Sequence, residues 1–282
     1  MSEIFRTQAP AKVNLSLRVV RRRKDGFHEI ETRMCPISLY DTIEIELRES
    51  GGVTLRCDDP ELPLGEENLA IKAVRTFEAS TGNEVNADIQ IEKRIPSGAG
   101  MGGGSSDAAA VLRLLNLTTK KELPISKLVQ IAAEIGSDVP FFLFGQTCDA
   151  SGRGEIIRPV EFDHALDLLL IKPPFGVSTP WAYSRWKDSV ENPALPYSAQ
   201  TLPCGKLVND LERPVFEKYV VLGDLKRWLL EQDEVAGALM SGSGATVFAV
   251  LKDATPSEAL AGRARAEFGE TFWTQAVKIG SN

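Results

Sequence analysis

Residues 95–110 read IPSGAGMGGGSSDAAA: five glycines fall between Gly98 and Gly104, and two serines, an aspartate and three alanines follow. No other stretch of the 282-residue chain is so biased. Just before it, NADIQIEKR (86–94) alternates Ile89 and Ile91 with polar residues, which predicts a strand with one buried face. Just after it, 105–116 carries good helix formers, and Ser105 and Ser106 are placed to cap them. Strand, glycines and helix start make a geometry for holding anions. Glycines let backbone N–H groups close on a ligand, and the helix start adds partial positive charge. A plain surface turn does not need that arrangement, so the stretch reads as a phosphate-binding loop.

The common phosphate loops do not fit it. The segment contains no G-x-x-x-x-G-K-[ST]. Gly98, Gly100 and Gly103 satisfy G-x-G-x-x-G, but a dinucleotide fold then needs a buried parallel strand after the helix. Here TTKKELPISKLVQIAAEIG (118–136) supplies a polar loop and a second helix, with Leu128, Ile131, Ala132 and Ile135 on one face and Gly136 as its stop. The H-R-D and D-F-G companions of protein kinases are also missing.

Further out, Val13, Leu15, Leu17 and Val19 predict a strand over 12–20, followed by a basic turn (21–26) ending in Asp25-Gly26. DTIEIELR (41–48) predicts another half-buried strand, and 67–79 a helix. LDLLLIKPP (166–174) reads as a buried strand and 188–204 as a polar loop. Helices are expected at 207–218, 222–232 and 256–267, with a strand at 245–251. The length favours two domains sharing a cleft, with the boundary near 157–163, giving 1–158 and 159–282.

Composition bounds the function. A net charge of −7 argues against coating nucleic acid or anionic membrane. No apolar run approaches the roughly 20 residues of a membrane span. Cys35, Cys57, Cys148 and Cys204 form no chelating pair and, with no leader pattern over 1–11, read as reduced thiols of a cytoplasmic protein. With only His28 and His164, a zinc site or a Ser-His-Asp triad has little to draw on.

Two more segments join the glycine stretch: APAKVNLSL (9–17) and MSGSGATVFAV (240–250). In that order, the three resemble the three motifs of the GHMP small-molecule kinases, which cover galactose, homoserine, mevalonate and phosphomevalonate kinases. KDGFHEIETRM (24–34), GSDVPFFLFG (136–145), SGRGEIIRPV (151–160) and VNDLE (208–212) resemble the branch whose acceptor is a cytidine-diphosphate-linked methylerythritol, in non-mevalonate isoprenoid synthesis. The implied fold is α+β with two domains, ribosomal-S5-like at the N-terminus and ferredoxin-like at the C-terminus. The implied reaction is phosphoryl transfer from ATP, with Mg²⁺, to the acceptor's 2-hydroxyl. The implied partners are small molecules, with no nucleic acid or membrane, in a monomer or homodimer.

The resemblance assigns roles residue by residue. Asp138 is the base that takes the hydroxyl proton, and Lys12 pairs with it or steadies the transferring charge. Pro96, Ser97, Gly98, Ala99, Gly100, Met101, Gly102, Gly103, Gly104, Ser105 and Ser106 wrap the ATP phosphates, with Lys93 and Asn68 near the nucleoside. Asn14 shares the face of Lys12, because strand side chains alternate with period two. Phe27, where tyrosine is common, and His28 form a cytosine pocket. Tyr183 closes it, with Trp181 as competitor, and Thr179 lines it. No side chain is assigned to a metal. Asp107 stands where asparagine is frequent and must face away from the phosphates or help hold Mg²⁺. The basic run Arg18–Lys24 reads as a solvated hairpin. Ser241–Thr246 completes the site from the second domain.

Overall fold

The structure is a computed structural model and describes residues 3–119, 122–252 and 257–280. The first half runs β1 (Ile4–Arg22), β2 (His28–Leu47), β3 (Val53–Cys57), α1 (Leu69–Thr81), β4 (Ala87–Glu92), α2 (Gly103–Thr118), α3 (Ile125–Ile135), a 3₁₀ turn (Pro140–Leu143), β5 (Cys148–Ser151) and β6 (Ile156–Pro159). The second runs β7 (Leu166–Lys172), α4 (Thr179–Arg185), β8 (Gln200–Leu202), β9 (Gly205–Asn209), α5 (Glu212–Lys218), α6 (Val220–Leu230), β10 (Val235–Met240), β11 (Val247–Leu251), α7 (Ser257–Phe268) and β12 (Trp273–Ile279).

A long antiparallel hairpin, β1 with β2, is the spine. Its tip closes at Asp25-Gly26, where the Phe27 N–H donates to Asp25 Oδ1 at 3.1 Å. The large sheet is ordered β3-β4-β2-β1-β9-β8, with β5 on β2 and β6 on β5. The small sheet is ordered β10-β11-β7-β12, antiparallel at every described pairing. With α6 and α7 packed on it, this is the expected ferredoxin-like half.

The alternation in β1 does what period two requires. Ala9, Ala11, Val13, Leu15, Leu17 and Val19 are all buried. They feed three cores in turn. Ala9 joins the core between the large sheet and α1–α3. Ala11, Val13 and Leu15 meet Leu168, Leu170, Phe248 and Val250 of the small sheet. Leu17 and Val19 join the core beneath α5 and α6. The two sheets are therefore joined by an apolar layer.

Several elements differ from expectation. The helix expected from 207 begins only at Glu212, because 205–209 is taken into the large sheet as β9, parallel to β1 at Ser16 and Leu17. The end of the expected 188–204 loop is β8, hairpinned to β9. A cut at 158/159 thus leaves β8 and β9 apart from the sheet they extend. Strands β5, β6, β10 and β12 carry no alternation strong enough to announce them, and β3 (VTLRC) alternates over only five residues. The first residue of the expected 256–267 helix lies outside the described residues; α7 spans Ser257–Phe268. The strand expected over 166–174 stops at Lys172, before the two prolines.

Candidate active site

The glycine stretch sits where the two halves meet. The Lys12 N–H of β1 donates to the Met101 carbonyl at 3.0 Å. The Thr246 N–H donates to the Ala99 carbonyl at 3.2 Å, and Ser241 Oγ donates to the Gly100 carbonyl at 3.0 Å. The three motifs, far apart in sequence, are therefore hydrogen-bonded to one another. Gly100 has φ +73°, and a Cβ there would lie 2.3 Å from the Ser241 carbonyl oxygen. Only glycine allows that approach.

The helix behind the loop starts differently from the expectation. α2 begins at Gly103, with Gly102 at its N-cap in the left-handed region and no side-chain cap. Ser105 and Ser106 lie inside the first turn and do not cap it. Ser105 faces the cleft, whereas Ser106 is buried and its hydroxyl has no partner.

The cleft has a volume of about 1050 Å³. Its wall includes Pro96 through Ser105, Lys12, Asn14, Phe27, His28, Asn68, Lys93, Asp138, Thr179 and Tyr183. Of the residues expected in the site, Ser106 is not on it, and of 241–246 only Gly242 and Ser243 are.

At the centre lies a polar chain built on β1 and β2. Lys12 Nζ donates to Asn14 Oδ1 at 2.6 Å, Asn14 Nδ2 to Thr32 Oγ1 at 2.7 Å, and Thr32 Oγ1 to the Ser16 carbonyl at 2.6 Å. Asp138 Oδ2 stands 3.8 Å from Lys12 Nζ. Lys12 is 4% exposed, whereas the Asp138 side chain is 39% exposed and open to the cleft. Burial pulls the Lys12 pKa below its ordinary value, and the Asp138 charge opposes that pull only in part.

Beside the glycines lies a second charged group. Lys93 donates to Asp41 and, at 2.7 Å, to Asp107 Oδ2. Burial alone would lower the Lys93 pKa, but the Asp107 and Asp41 charges outweigh it and the net shift is upward. Burial raises the Asp107 carboxyl well above the usual range despite Lys93. Asp107 is thus turned onto Lys93, with Oδ1 buried and unpaired. Asn68 caps α1, accepting from the Ala70 N–H at 2.8 Å.

At the far end is an aromatic pocket. His28 stacks on Tyr183 with ring centroids 5.4 Å apart and meets Trp186 edge-on at 6.0 Å. Phe27 is half exposed, with the Arg153 guanidinium 4.7 Å above its ring. Burial and then the Arg22 charge lower the His28 pKa, so the neutral ring is favoured. Trp181 is not on the cleft wall; it packs edge-on against Tyr219, under the Lys218 ammonium. Tyr183 lines the cleft beside His28, and Trp186, which the sequence did not single out, lines it too. Thr179 Oγ1 and Ser243 Oγ are 2.7 Å apart, joining α4 to the third motif. The hairpin arginines are largely paired: Arg18 with Asp210, Arg21 with Glu29, Arg23 with Asp25 and Glu29.

Comparison with known proteins identifies the family of the chain. Residues 68–146 match the model of the GHMP kinases N terminal domain, and 201–270 that of the GHMP kinases C terminal. The chain is similar to the 4-diphosphocytidyl-2-C-methyl-D-erythritol kinase of Methylacidiphilum infernorum (isolate V4), 41% identical over 281 residues, 99% of this chain and 98% of that one. It is similar to the kinase of the same name from Geobacter sulfurreducens, 39% identical over 95% of this chain and 98% of that one. A crystal structure of 4-(cytidine 5'-diphospho)-2C-methyl-D-erythritol kinase superposes with a TM-score of 0.77 at 35% identity, covering 99% of this chain and all of that one. Homoserine kinase from Cytophaga hutchinsonii shares the fold, with a TM-score of 0.70 at 18% identity over all of this chain and 96% of that one. The chain belongs to the GHMP kinases and, within them, to the 4-diphosphocytidyl-2-C-methyl-D-erythritol kinase family.

Proposed function

We propose that this chain transfers the γ-phosphoryl group of ATP to the 2-hydroxyl of 4-diphosphocytidyl-2-C-methyl-D-erythritol, giving the 2-phosphate and ADP. One observation carries the reading: a single cleft holds a glycine phosphate loop at one end, an aromatic pocket at the other, and the Lys12–Asp138 pair between them. The aromatic end suits a base, which homoserine and mevalonate do not carry.

The residues divide the work as phosphoryl transfer requires, by positioning and by electrostatics. Backbone N–H groups of 98–104 close on the ATP phosphates, and the start of α2 adds its partial charge. Lys93 and Asn68 flank the nucleoside. Phe27, Tyr183 and His28 hold the cytosine by stacking and edge hydrogen bonds, with Thr179 beside them. Asn14 orients the acceptor. Asp138 accepts the hydroxyl proton as the oxygen bonds to the γ-phosphorus and the bond to ADP breaks. The Lys12 ammonium offsets the charge on the transferring oxygens.

Mg²⁺ accompanies ATP in this reading. It keeps several waters and needs one or two protein oxygens besides phosphate. The unpaired Asp107 Oδ1 and Ser106 hydroxyl, near the start of α2, are oxygens of that kind. When bound, the ion would offset charge between the phosphates. The chain would act in the cytoplasm, as a monomer or homodimer, with its halves 1–158 and 159–282 sharing the substrates. Among the described residues, no helix is long and apolar enough to cross a membrane.

The test is ADP release with Mg-ATP and, separately, the cytidine acceptor, homoserine, mevalonate and galactose. Turnover is expected with the cytidine compound alone. Asp138→Asn is expected to lower kcat about 10²- to 10⁴-fold, the usual range for a general base, with little change in KM. Turnover of another acceptor instead would sink the cytosine assignment.

A further inference from the structure

The VNDLE segment (208–212) lines no part of the cleft, yet its side chains hold the third motif in place. Asn209, at the end of β9, is 4% exposed. Its Nδ2 donates to the Met240 and Gly242 carbonyls, both at 2.7 Å, and its Oδ1 accepts from the Leu211 N–H at 2.9 Å. Both amide hydrogens are thus spent on one turn. Glu212 Oε1 accepts from the Met240 N–H at 2.9 Å, while Lys226 Nζ holds its other oxygen at 2.6 Å. The turn is pinned at three backbone groups from beneath.

The opposite side of this turn faces the chemistry. A Cβ at Gly242 would lie 3.1 Å from the Gly100 carbonyl oxygen and 3.3 Å from Lys12 Nζ. Ser241 Oγ, one residue earlier, donates to that same Gly100 carbonyl. The turn therefore has the Asn209 clamp on one side, and the phosphate loop and the buried ammonium on the other. Moving either carbonyl off Asn209 moves the backbone that leaves Lys12 Nζ no more than a methyl group's room at Gly242.

We propose that Asn209 is a positioning residue for phosphoryl transfer: its carboxamide fixes the 240–242 turn, which in turn fixes Lys12 and the glycine loop relative to each other. This rests on the reading of Lys12 as a catalytic group. A lysine stem has four rotatable bonds, and its ammonium acts only where the transferring charge develops. Asn209 is thus expected to govern the rate of transfer rather than acceptor binding, because it does not touch Phe27, His28 or Tyr183.

Two measurements on the full chain test this with Asn209→Leu, which removes both donors at similar volume. In the free enzyme, hydrogen exchange should quicken at least about 10-fold in both 240–246 and 95–104, leaving the interior of β2 unchanged. Quickening confined to 240–246 would overturn the coupling. In turnover, kcat should fall about 10- to 100-fold, the scale of a 1 Å misplacement. KM for the cytidine acceptor should move less than about 3-fold, the mark of an interaction made only in the transition state. In a Lys12→Met background the same substitution should cost nothing further. Retained kcat, a matching rise in KM, or losses that multiply with Lys12→Met would each overturn the proposal. Should Asn209→Leu not fold, Ser241→Ala keeps the clamp and cuts its link to Gly100, and full activity there overturns the proposal. Exchange needs no acceptor, so an inactive wild type would sink the proposed reaction while the clamp is still tested.

Discussion

A lysine 4% exposed is an uncomfortable residue, and Lys12 shows why it is kept. Between its lowered folded pKa and the ordinary lysine value of 10.5, the unfolded chain holds a proton that the folded chain has released. Stability therefore rises with pH through that window, and below it the buried charge weighs against folding. Lys12→Met is expected to melt no lower than wild type at pH 7 while losing at least about 10²-fold in kcat. Calorimetry and ADP release check the two halves of that statement. The alkaline limb of kcat/KM, which reports the free enzyme, should begin below the pH of an ordinary lysine. Lys12 and Asp138 were named through the resemblance of their motifs to the kinase family, and Asn14 through the strand period that sets it on the face of Lys12. Thr32, Trp186 and Asn209 were not. Each gains its role from a partner more than a dozen residues away, or at the end of a tertiary contact, and no local pattern marks such a partner.

At the scale of elements, the glycine loop and the 240–244 turn work as a pair. Gly100→Ala would drive a Cβ into the Ser241 carbonyl and force the turn off the loop. KM for ATP is expected to rise at least about 10-fold, since lost loop contacts act on ground state and transition state alike; titration of initial rates with Mg-ATP checks it. Asp107, near the start of α2, holds the other tension. Between 3.8 and the raised folded value, the folded chain holds a proton on Asp107 that the unfolded chain has lost. Stability thus falls as pH rises through that window. Asp107→Asn keeps an acceptor for Lys93 and brings the Asp41–Lys93–Asp107 group from one net negative charge to none. It should melt above wild type at neutral pH, with the gap closing as pH falls, as thermal scans would show. The helices α1 and α3 and strands β1, β2 and β4 could be read from the sequence because polar residues alternate with apolar ones along them, and α2, buried from Ser106 to Leu112, by its helix formers after the glycines. β10, β11 and β7 are buried on nearly every residue, so they show no alternation, and only β7 and β11 have punctuation enough to be found. β9 was mistaken for helix because LVNDLERPVFEK continues into a true helix without a break in polarity.

The whole molecule is less divisible than its two family halves suggest. β1 contributes to all three cores, and β2 and β12 also meet, the Lys278 N–H donating to Ser38 Oγ at 2.8 Å. A fragment of residues 1–158 would expose Ala11, Val13, Leu15, Ile37 and Leu39, which the small sheet normally covers, and the edge of β1 that β9 occupies. It is expected to partition to the insoluble fraction or to bind a hydrophobic dye. A soluble, cooperatively melting fragment would show instead that the first half has a core of its own. The placement of β9 also has a consequence for synthesis. The ribosome delivers β1 first, but the strand that flanks it is encoded some 190 residues later. At about 5–20 residues per second, β1 waits many seconds with an open edge. The nascent chain thus carries an unpaired strand edge throughout that interval, and pauses in translation before codon 209 would lengthen its exposure.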